Sequence, residues 1–287
     1  MFPWNDRAGR LSTLKLAVFI VTLLPVLWLG VQAGTGLLGS KPLTEANHQS
    51  GDWAVRFLLL SLAVTPLRFV AQWPNLIVVR RMLGLTALAY AVLHLALYVA
   101  LEAFDLQKVL SEIVLRTYLT IGFIALLGLV VLGITSTDGM VKRLGALGWN
   151  RLHSIVYGLA TLALVHFAMQ SKLDITQAAL MTGFFFWLMG FRLLRRSKLS
   201  TAVPALVGLA LAAGVLTMLA EASWYGLMTG VSGWRVLAAN LDFSYVIRPA
   251  WWVLAAGLTL ALIGLIRAKA APVRGQRDRG EALASHP

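Results

Sequence analysis

Residues 82–101 read MLGLTALAYAVLHLALYVAL, a stretch that contains His94 but no Lys, Arg, Asp or Glu. A helix that crosses a bilayer needs about 20 mostly apolar residues, so this stretch predicts a membrane span with an imidazole inside it. Hydrophobic residues make up 59% of the 287-residue chain and charged residues only 13%, against about 45–50% and about 25% in ordinary soluble domains. The composition excludes a soluble enzyme and predicts an all-α, polytopic transmembrane helix bundle.

Similar apolar runs, each bounded by charged residues, Pro or Gly, bring the predicted number of spans to eight. The expected helices lie near 14–34, 53–70, 82–101, 117–134, 150–170, 174–194, 202–221 and 250–267. The last segment, 270–287, is rich in Arg, Gly and Ala. We expect it to form a disordered basic tail beside anionic membrane lipid.

Lysine and arginine are distributed very unevenly between the loops. Of the 25 basic residues, 18 fall in the N-terminal segment, in the second, fourth and sixth loops and in the tail, and six fall in the alternate loops. Cytoplasmic loops carry the excess of Lys and Arg. The pattern predicts a multi-pass membrane protein with both termini in the cytoplasm. The same topology accounts for the net charge of +13, so no nucleic-acid partner is expected.

The chain contains no cysteine. It therefore cannot form disulfides, thiolate-held iron–sulfur clusters or the Cys-x-x-Cys-His attachment of c-type haem. Nucleotide-binding glycine loops, Walker motifs and the common hydrolase signatures are also missing from the sequence. Any redox cofactor must be held by other side chains, and its electrons must come from another molecule.

Two histidines lie at almost the same depth in spans three and five, which run in the same direction. His94 is 12 residues past Met82, and His166 is 14 residues past Leu152. At 1.5 Å per residue these offsets are roughly 18 Å and roughly 21 Å. Two imidazoles at one level on two helices are what a six-coordinate haem iron requires. The pair is the strongest chemical signal in the sequence, and the alternative is a hydrogen bond between helices.

His153 and Arg80 form a weaker pair near the cytoplasmic ends of the same two spans. His153 precedes His166 by 13 residues, and a regular helix turns such a segment about 140° short of four full turns. A second haem at His153 would therefore need a local irregularity. Arg80 lies on the face of His94 and suits a haem propionate, a flavin phosphate or a quinone carbonyl better than it suits iron. The alternative is an ordinary positive-inside arginine.

Three other features are interpreted structurally. Tyr90 and Tyr98 flank His94 at i−4 and i+4 and are expected to pack in the bundle. Arg56 is expected to snorkel from the outer end of span two. The aromatic-rich segment 222–249 predicts an interfacial helix on the outer leaflet, with a partner-docking surface as the alternative.

Several motifs, taken together and in order, resemble the MsrQ (YedZ) family of haem-binding membrane subunits, which is related to ferric reductases and NADPH oxidases. The resemblance covers about residues 10–197. The motifs are Gly39-Ser40-Lys41-Pro42-Leu43, Gly51-Asp52-Trp53-Ala54, Arg80-Arg81-Met82-Leu83-Gly84-Leu85, His94, Thr135-Ser136-Thr137-Asp138, Arg143-Leu144-Gly145, Trp149-Asn150-Arg151-Leu152-His153, Tyr157 and His166.

The resemblance implies a ferric reductase-like, haem-binding transmembrane domain at residues 1–197. It also implies haem b, one or two molecules, with iron held by His94, His166 and His153, and FMN as a further cofactor. Electrons would come from the quinone pool or a cytosolic flavin reductase. They would leave for a periplasmic molybdopterin-containing, MsrP-like subunit that reduces methionine sulfoxide in proteins. The family commonly has six spans, so residues 198–269 are expected to add about two helices before the tail.

Two hypotheses compete with an electron-transfer subunit. One is a transporter or channel without haem, for which Pro25 and Pro66 are the faint indications of broken helices. The other is a haem-free scaffold for partner docking. A haem absorbance spectrum separates the electron-transfer subunit from these two haem-free hypotheses.

Overall fold

The computed structural model describes residues 4–5, 9–172, 174–197 and 202–270. Arg7, His286 and the predicted tail after Ala270 lie outside them. The described chain forms helices joined by short connections, with one 3₁₀ helix, Pro74–Val79, before the third. The α-helices are α1 Thr13–Thr35, α2 Pro42–Val70, α3 Arg80–Leu101, α4 Leu106–Leu115, α5 Thr117–Ile134, α6 Asp138–His153, α7 Val156–Gln170, α8 Thr176–Arg196, α9 Val203–Met228, α10 Gly233–Ala239 and α11 Pro249–Ala270.

Eight helical segments in the described residues are long and apolar enough to cross a membrane, which confirms the predicted fold class and the number of spans. They are α1, α2, the 3₁₀ helix with α3, α5, α6 with α7, α8, α9 and α11. The end of the bundle at which α2, α5, α8 and α11 finish carries the basic loops and is called the basic end below. The other end is called the opposite end.

Helix α2 begins at Pro42, eleven residues before the predicted start of span two. Hydropathy misses this part because it is polar, yet Asn47 and Ser50 are buried against the bundle. Proline at the first helical turn has no amide to leave unpaired and has a suitable φ. The extension adds Asp52, which Arg56 contacts at 3.6 Å, and Arg56 also contacts Gln177 of α8 at 3.3 Å. Arg56 is therefore held by polar partners, and snorkelling alone does not describe it.

The predicted span at 150–170 is two helices. Helix α6 ends at His153 and α7 begins at Val156, so a break separates His153 from His166. Helix α6 also has an internal kink at Gly145, whose φ of 68° lies in the left-handed region that glycine tolerates. This break is the local irregularity that a second haem at His153 would need.

Tyr90 connects α3 to a disrupted turn of α1. Its hydroxyl accepts a hydrogen bond from the amide of Val26 at 3.0 Å and donates one to the carbonyl of Thr22 at 2.9 Å. These two groups form an i, i−4 pair beside Pro25, which removes an amide and disturbs the helix. Tyr90 also packs on Phe57 with ring centroids 5.1 Å apart. Tyr90 thus packs in the bundle as expected, and its hydroxyl also attaches α1 to the bundle.

Pro66 leaves a similar gap in α2, and an arginine fills it. The carbonyl of Leu62 would bond the amide of residue 66 in a regular helix, but proline has none. Arg192 of α8 donates to this carbonyl at 3.0 Å and to the carbonyl of Leu188 at 2.7 Å. Its guanidinium also lies 4.9 Å from the centre of the Tyr157 ring. The side chain thus ties α8 to the proline turn of α2.

Helices α9 and α11 pack on each other and on α8, and α11 also contacts α2. Their buried residues Leu206, Ala213 and Val253 share one hydrophobic core with α2 and α8. At the opposite end, the fully buried Glu221 accepts a hydrogen bond from Asn240 at 3.0 Å and pairs with Arg248 at 3.5 Å. This network holds α10, the short helix found in the segment where an interfacial helix was expected, against α9 and α11.

Candidate functional site

His94 of α3 and His166 of α7 lie side by side in the opposite half of the bundle. Their ring centroids are 6.2 Å apart, and the ring planes are inclined by 76°. The equal depth predicted from residue counting therefore corresponds to a direct approach of the two rings.

Each ring is oriented by a backbone carbonyl on a neighbouring helix. Nδ1 of His94 lies 2.8 Å from the oxygen of Asn47 in α2, and Nδ1 of His166 lies 2.7 Å from the oxygen of Tyr118 in α5. A carbonyl oxygen can only accept, so Nδ1 carries the proton in both rings. This tautomer leaves the lone pair of Nε2 free, as in metal-bound histidines whose other nitrogen donates to a carbonyl.

Two glycines give the rings their space. A Cβ at Gly51 would lie 3.0 Å from Nδ1 of His94, and one at Gly122 would lie 2.7 Å from Nδ1 of His166. Both distances are shorter than ordinary van der Waals contacts. The imidazoles therefore lie directly against the backbones of α2 and α5, on the sides from which their carbonyl partners come.

A cavity of about 420 Å³ surrounds the pair. Its wall is mostly apolar, and Tyr98, His48, Asp52 and Asp174 also line it. The hydroxyl and the amide of Thr176 hold the pKa of Asp174 below its ordinary value, so this carboxylate, between α7 and α8, is ionised at neutral pH. Hydropathy does not predict a role for His48, because the helical start of α2 at Pro42 is what brings it to the cavity.

A second cavity of about 280 Å³ lies at the basic end and is lined by both Arg80 and His153. The His153 ring stacks on Trp149 with centroids 3.8 Å apart. Its Nε2 lies 3.1 Å from the hydroxyl oxygen of Thr135, and that hydroxyl donates to the carbonyl of Val131 at 2.8 Å. When this hydroxyl donates to Val131, Nε2 of His153 is the donor to Thr135, and Nδ1 of the neutral ring is unprotonated. No carboxylate of the described residues lies within ion-pair distance of Arg80.

The two cavities follow one another through the bundle. Leu58 of α2 and Leu129 of α5 line both of them. The wall between the paired histidines and the Arg80–His153 cavity is therefore thin and apolar at these two side chains.

The paired imidazoles fit a haem better than a bare metal ion. No cluster of three or more His, Asp or Glu side chains suited to a metal occurs in the described part of the chain, so a lone ion would lack ligands that a porphyrin supplies. The two neutral imidazoles, with ring centroids 6.2 Å apart, would supply the two protein ligands that a haem iron takes in addition to its porphyrin.

Comparison with known proteins gives an independent result. Residues 50–164 match the family model described as ferric reductase like transmembrane component. The protein-methionine-sulfoxide reductase heme-binding subunit MsrQ of Rhodospirillum rubrum is 41% identical over 190 residues, which are 66% of this chain and 89% of the relative. This chain belongs to the MsrQ family.

Other MsrQ proteins are similar to the same extent. The MsrQ of Herminiimonas arsenicoxydans is 41% identical over 168 residues, covering 58% of this chain and 77% of the relative. The MsrQ of Xanthomonas campestris is 42% identical over 189 residues, covering 63% of this chain and 86% of the relative. No solved structure matches the chain. About a third of this chain has no counterpart in the first relative, and the expected boundary between residues 197 and 198 stays a prediction.

Proposed function

We propose that this protein is a haem b electron-transfer subunit of the inner membrane with both termini in the cytoplasm. It takes electrons from quinol or a cytosolic flavin reductase at the basic end. It delivers them to a periplasmic, molybdopterin-containing, MsrP-like subunit that repairs methionine sulfoxide in proteins. The observation that carries the proposal is the pair of imidazoles with both Nε2 atoms free. The MsrQ relatives support it, since their names describe a haem-binding subunit of a methionine sulfoxide reductase.

His94 and His166 would hold the haem iron, which when bound supplies reversible one-electron chemistry. The carbonyls of Asn47 and Tyr118 fix the tautomer and the direction of each ring, and hydrogen bonding to Nδ1–H makes Nε2 a stronger donor. Leu58, Leu129 and the other apolar side chains of the cavity exclude water from the rings. The chain's contribution is thus orientation, ligand basicity and a dry surrounding.

Arg80 and His153 would serve the electron input. A guanidinium without a carboxylate partner can hold a phosphate, a propionate or a quinone oxygen, and the unprotonated Nδ1 of His153 can take a proton or bind iron. The pair suits a quinol or FMN site, or a second haem.

The assignment of His94 and His166 as iron ligands is tested by replacing each histidine separately. We expect His94→Ala and His166→Ala to abolish the haem absorbance or convert it from low-spin to high-spin, because the iron loses one of two ligands. Absorption and electron paramagnetic resonance spectra of the purified proteins measure this. His286→Ala, in the C-terminal tail, is the matched control. A low-spin spectrum retained by both cavity variants would refute the assignment, and a wild-type protein without haem would favour the transporter or scaffold hypotheses.

The input role is tested by separating haem content from the rate of reduction. We expect Arg80→Ala to slow reduction by quinol or a flavin reductase while dithionite reduction persists. His153→Ala should do the same if His153 only takes protons, and should lower haem per chain if it binds iron. Stopped-flow absorbance and a pyridine haemochrome assay measure the two quantities. Wild-type rates and haem content in both variants would show that this cavity is structural.

A further inference from the structure

Two arginines from different helices share one phenylalanine ring at the basic end. Arg68 and Phe69 lie in the last turn of α2, and Arg195 lies in the last turn of α8. The guanidinium carbon of Arg68 is 4.7 Å from the centre of the Phe69 ring, and that of Arg195 is 3.6 Å from it. Both distances are within the range of cation–π attraction. The Phe69 ring therefore holds two positively charged guanidinium groups close to each other.

Among the residues that the structure describes, these two charges have no acidic partner. The ion pairs of the described residues involve Arg56, Arg81, Lys108, Arg116 and Arg248, and neither Arg68 nor Arg195 is among them. Because both guanidinium carbons lie near the centre of one ring, the distance between them cannot exceed the sum of their two distances from that centre. That sum is about one Debye length, about 8 Å, at physiological salt. Their mutual repulsion is only partly screened and favours an anion beside them.

A third cation, Arg267, lies on α11 near the point where that helix packs on the end of α2. A Cβ at Gly264 would lie 3.5 Å from Cγ1 of Val70, so α11 packs on the end of α2 at this point. Arg267 follows Gly264 by three residues, which is the same helix face one turn closer to the basic end. Three helices thus contribute basic side chains around Phe69 and Val70.

Arginines that only set the orientation of a membrane protein extend separately into water and do not contact a shared aromatic ring. Here the guanidinium groups converge, and Arg192, one turn before Arg195, fixes α8 against α2 through the carbonyl of Leu62. Exposed apolar side chains adjoin this end of the bundle, including Leu193 of α8 at 65% and Ile266 of α11 at 56% exposure. Convergent donors at a helix end, next to apolar surface, suit an anionic headgroup whose chains lie along the bundle.

We propose that Arg68, Phe69 and Arg195 form a binding site for the phosphate of an anionic phospholipid, with Arg267 as a further cation. Guanidinium groups bind phosphate oxygens in a bidentate manner, and basic pockets between transmembrane helices on the cytoplasmic side bind anionic headgroups. The phosphate neutralises the two facing charges and joins α2, α8 and α11.

Binding is measured on the purified full-length protein in detergent by native mass spectrometry and by the thermal shift on lipid addition. The probes are dioctanoyl phosphatidylglycerol, dioctanoyl phosphatidylcholine and inorganic phosphate. We expect a saturable adduct with phosphatidylglycerol and a rise in unfolding temperature. The double variant Arg68→Gln/Arg195→Gln should bind roughly tenfold more weakly, since each near-surface arginine contributes to attraction of anionic lipid.

Two further variants separate a site from general surface charge. Lys142→Gln/Arg143→Gln removes two positive charges from α6 at the same end and should bind like wild type. Phe69→Leu keeps both arginines but removes their common ring, and should bind roughly threefold more weakly, the size of an exposed cation–π interaction. Unchanged size-exclusion profiles and unchanged unfolding temperatures without lipid show that each variant is folded.

Equal loss of binding in the Lys142/Arg143 control would overturn the site, because the attraction would then be that of the whole basic surface. Equally tight binding of inorganic phosphate would also overturn the site, because the arginines would then bind free anions. Equally tight binding of phosphatidylcholine would overturn it because the arginines would then not select an anionic lipid. These results are independent of the haem, so the proposed electron-transfer function stands or fails separately.

Discussion

At the residue scale, the two histidines depend on two positions that carry no side chain. Gly122→Ala would introduce a methyl group 2.7 Å from Nδ1 of His166, and the ring would have to leave the carbonyl of Tyr118. We expect haem affinity to fall by roughly tenfold or more, the usual effect of losing a ligand-orienting partner. Haem titration of the purified variant measures the change.

Gly158→Ala is the control for this variant. Gly158 lies in α7 with His166, and a Cβ there meets nothing within 4 Å. Alanine has the higher helix propensity, so this variant should keep haem affinity and its low-spin spectrum. Equal affinity in the two alanine variants would show that the ring position does not limit haem binding.

Counting residues along two helices was enough to predict that His94 and His166 lie at one level, because helical rise is nearly constant. The same counting could not identify Gly51 or Gly122, since their contacts depend on how closely α2 approaches α3 and α5 approaches α7. His48 was missed for a related reason. A polar helical turn that is buried only by its neighbours has no hydropathy signal.

At the element scale, the proline turn of α2 and Arg192 of α8 form one unit. Arg192→Leu would leave the carbonyl of Leu62 without a donor inside the bundle, which costs about 1–3 kcal/mol. Pro66→Ala restores an amide that can bond this carbonyl within α2. We therefore expect Arg192→Leu to destabilise the Pro66→Ala background less than the wild-type background. Unfolding temperatures of the four proteins complete the double-mutant cycle.

Arg196→Leu provides the matched comparison, because Arg196 lies in the same final turn of α8 and its side chain is exposed. It should change the unfolding temperature little in either background. An equal loss from Arg192→Leu in both backgrounds would show that the proline turn and the arginine are not coupled.

The eight spans were predictable because each has a run of apolar residues, but several helix boundaries were not, and α9 continues to Met228, seven residues past its predicted end. Helix α2 extends outward through polar residues whose burial depends on packing with α3. The break after His153 separates a polar helix from an apolar one without a proline or glycine at the junction. Both features place side chains of the candidate site, so the number of spans predicts the fold more completely than it predicts the site.

At the scale of the whole molecule, the proposed orientation predicts where each end of the chain lies. An alkaline phosphatase fused after Pro287 should be inactive, because this enzyme needs the periplasm, and a fusion after Lys172 should be active. Fusion activity normalised to protein level measures this. The reverse pattern would place the paired histidines near the cytoplasm and would invert the proposed direction of electron flow.

The wall formed by Leu58 and Leu129 has an energetic consequence for the cell. In the proposed orientation, an electron that passes this wall from the basic end would move its charge along the membrane normal, so the transfer would be electrogenic. The potential contributes up to about 2.3 kcal/mol per 100 mV for one charge crossing the full membrane. With the cytoplasm negative, outward transfer is accelerated and discharges the membrane. Dissipating the potential with an ionophore should therefore slow haem reduction from the cytoplasmic side while leaving haem content unchanged.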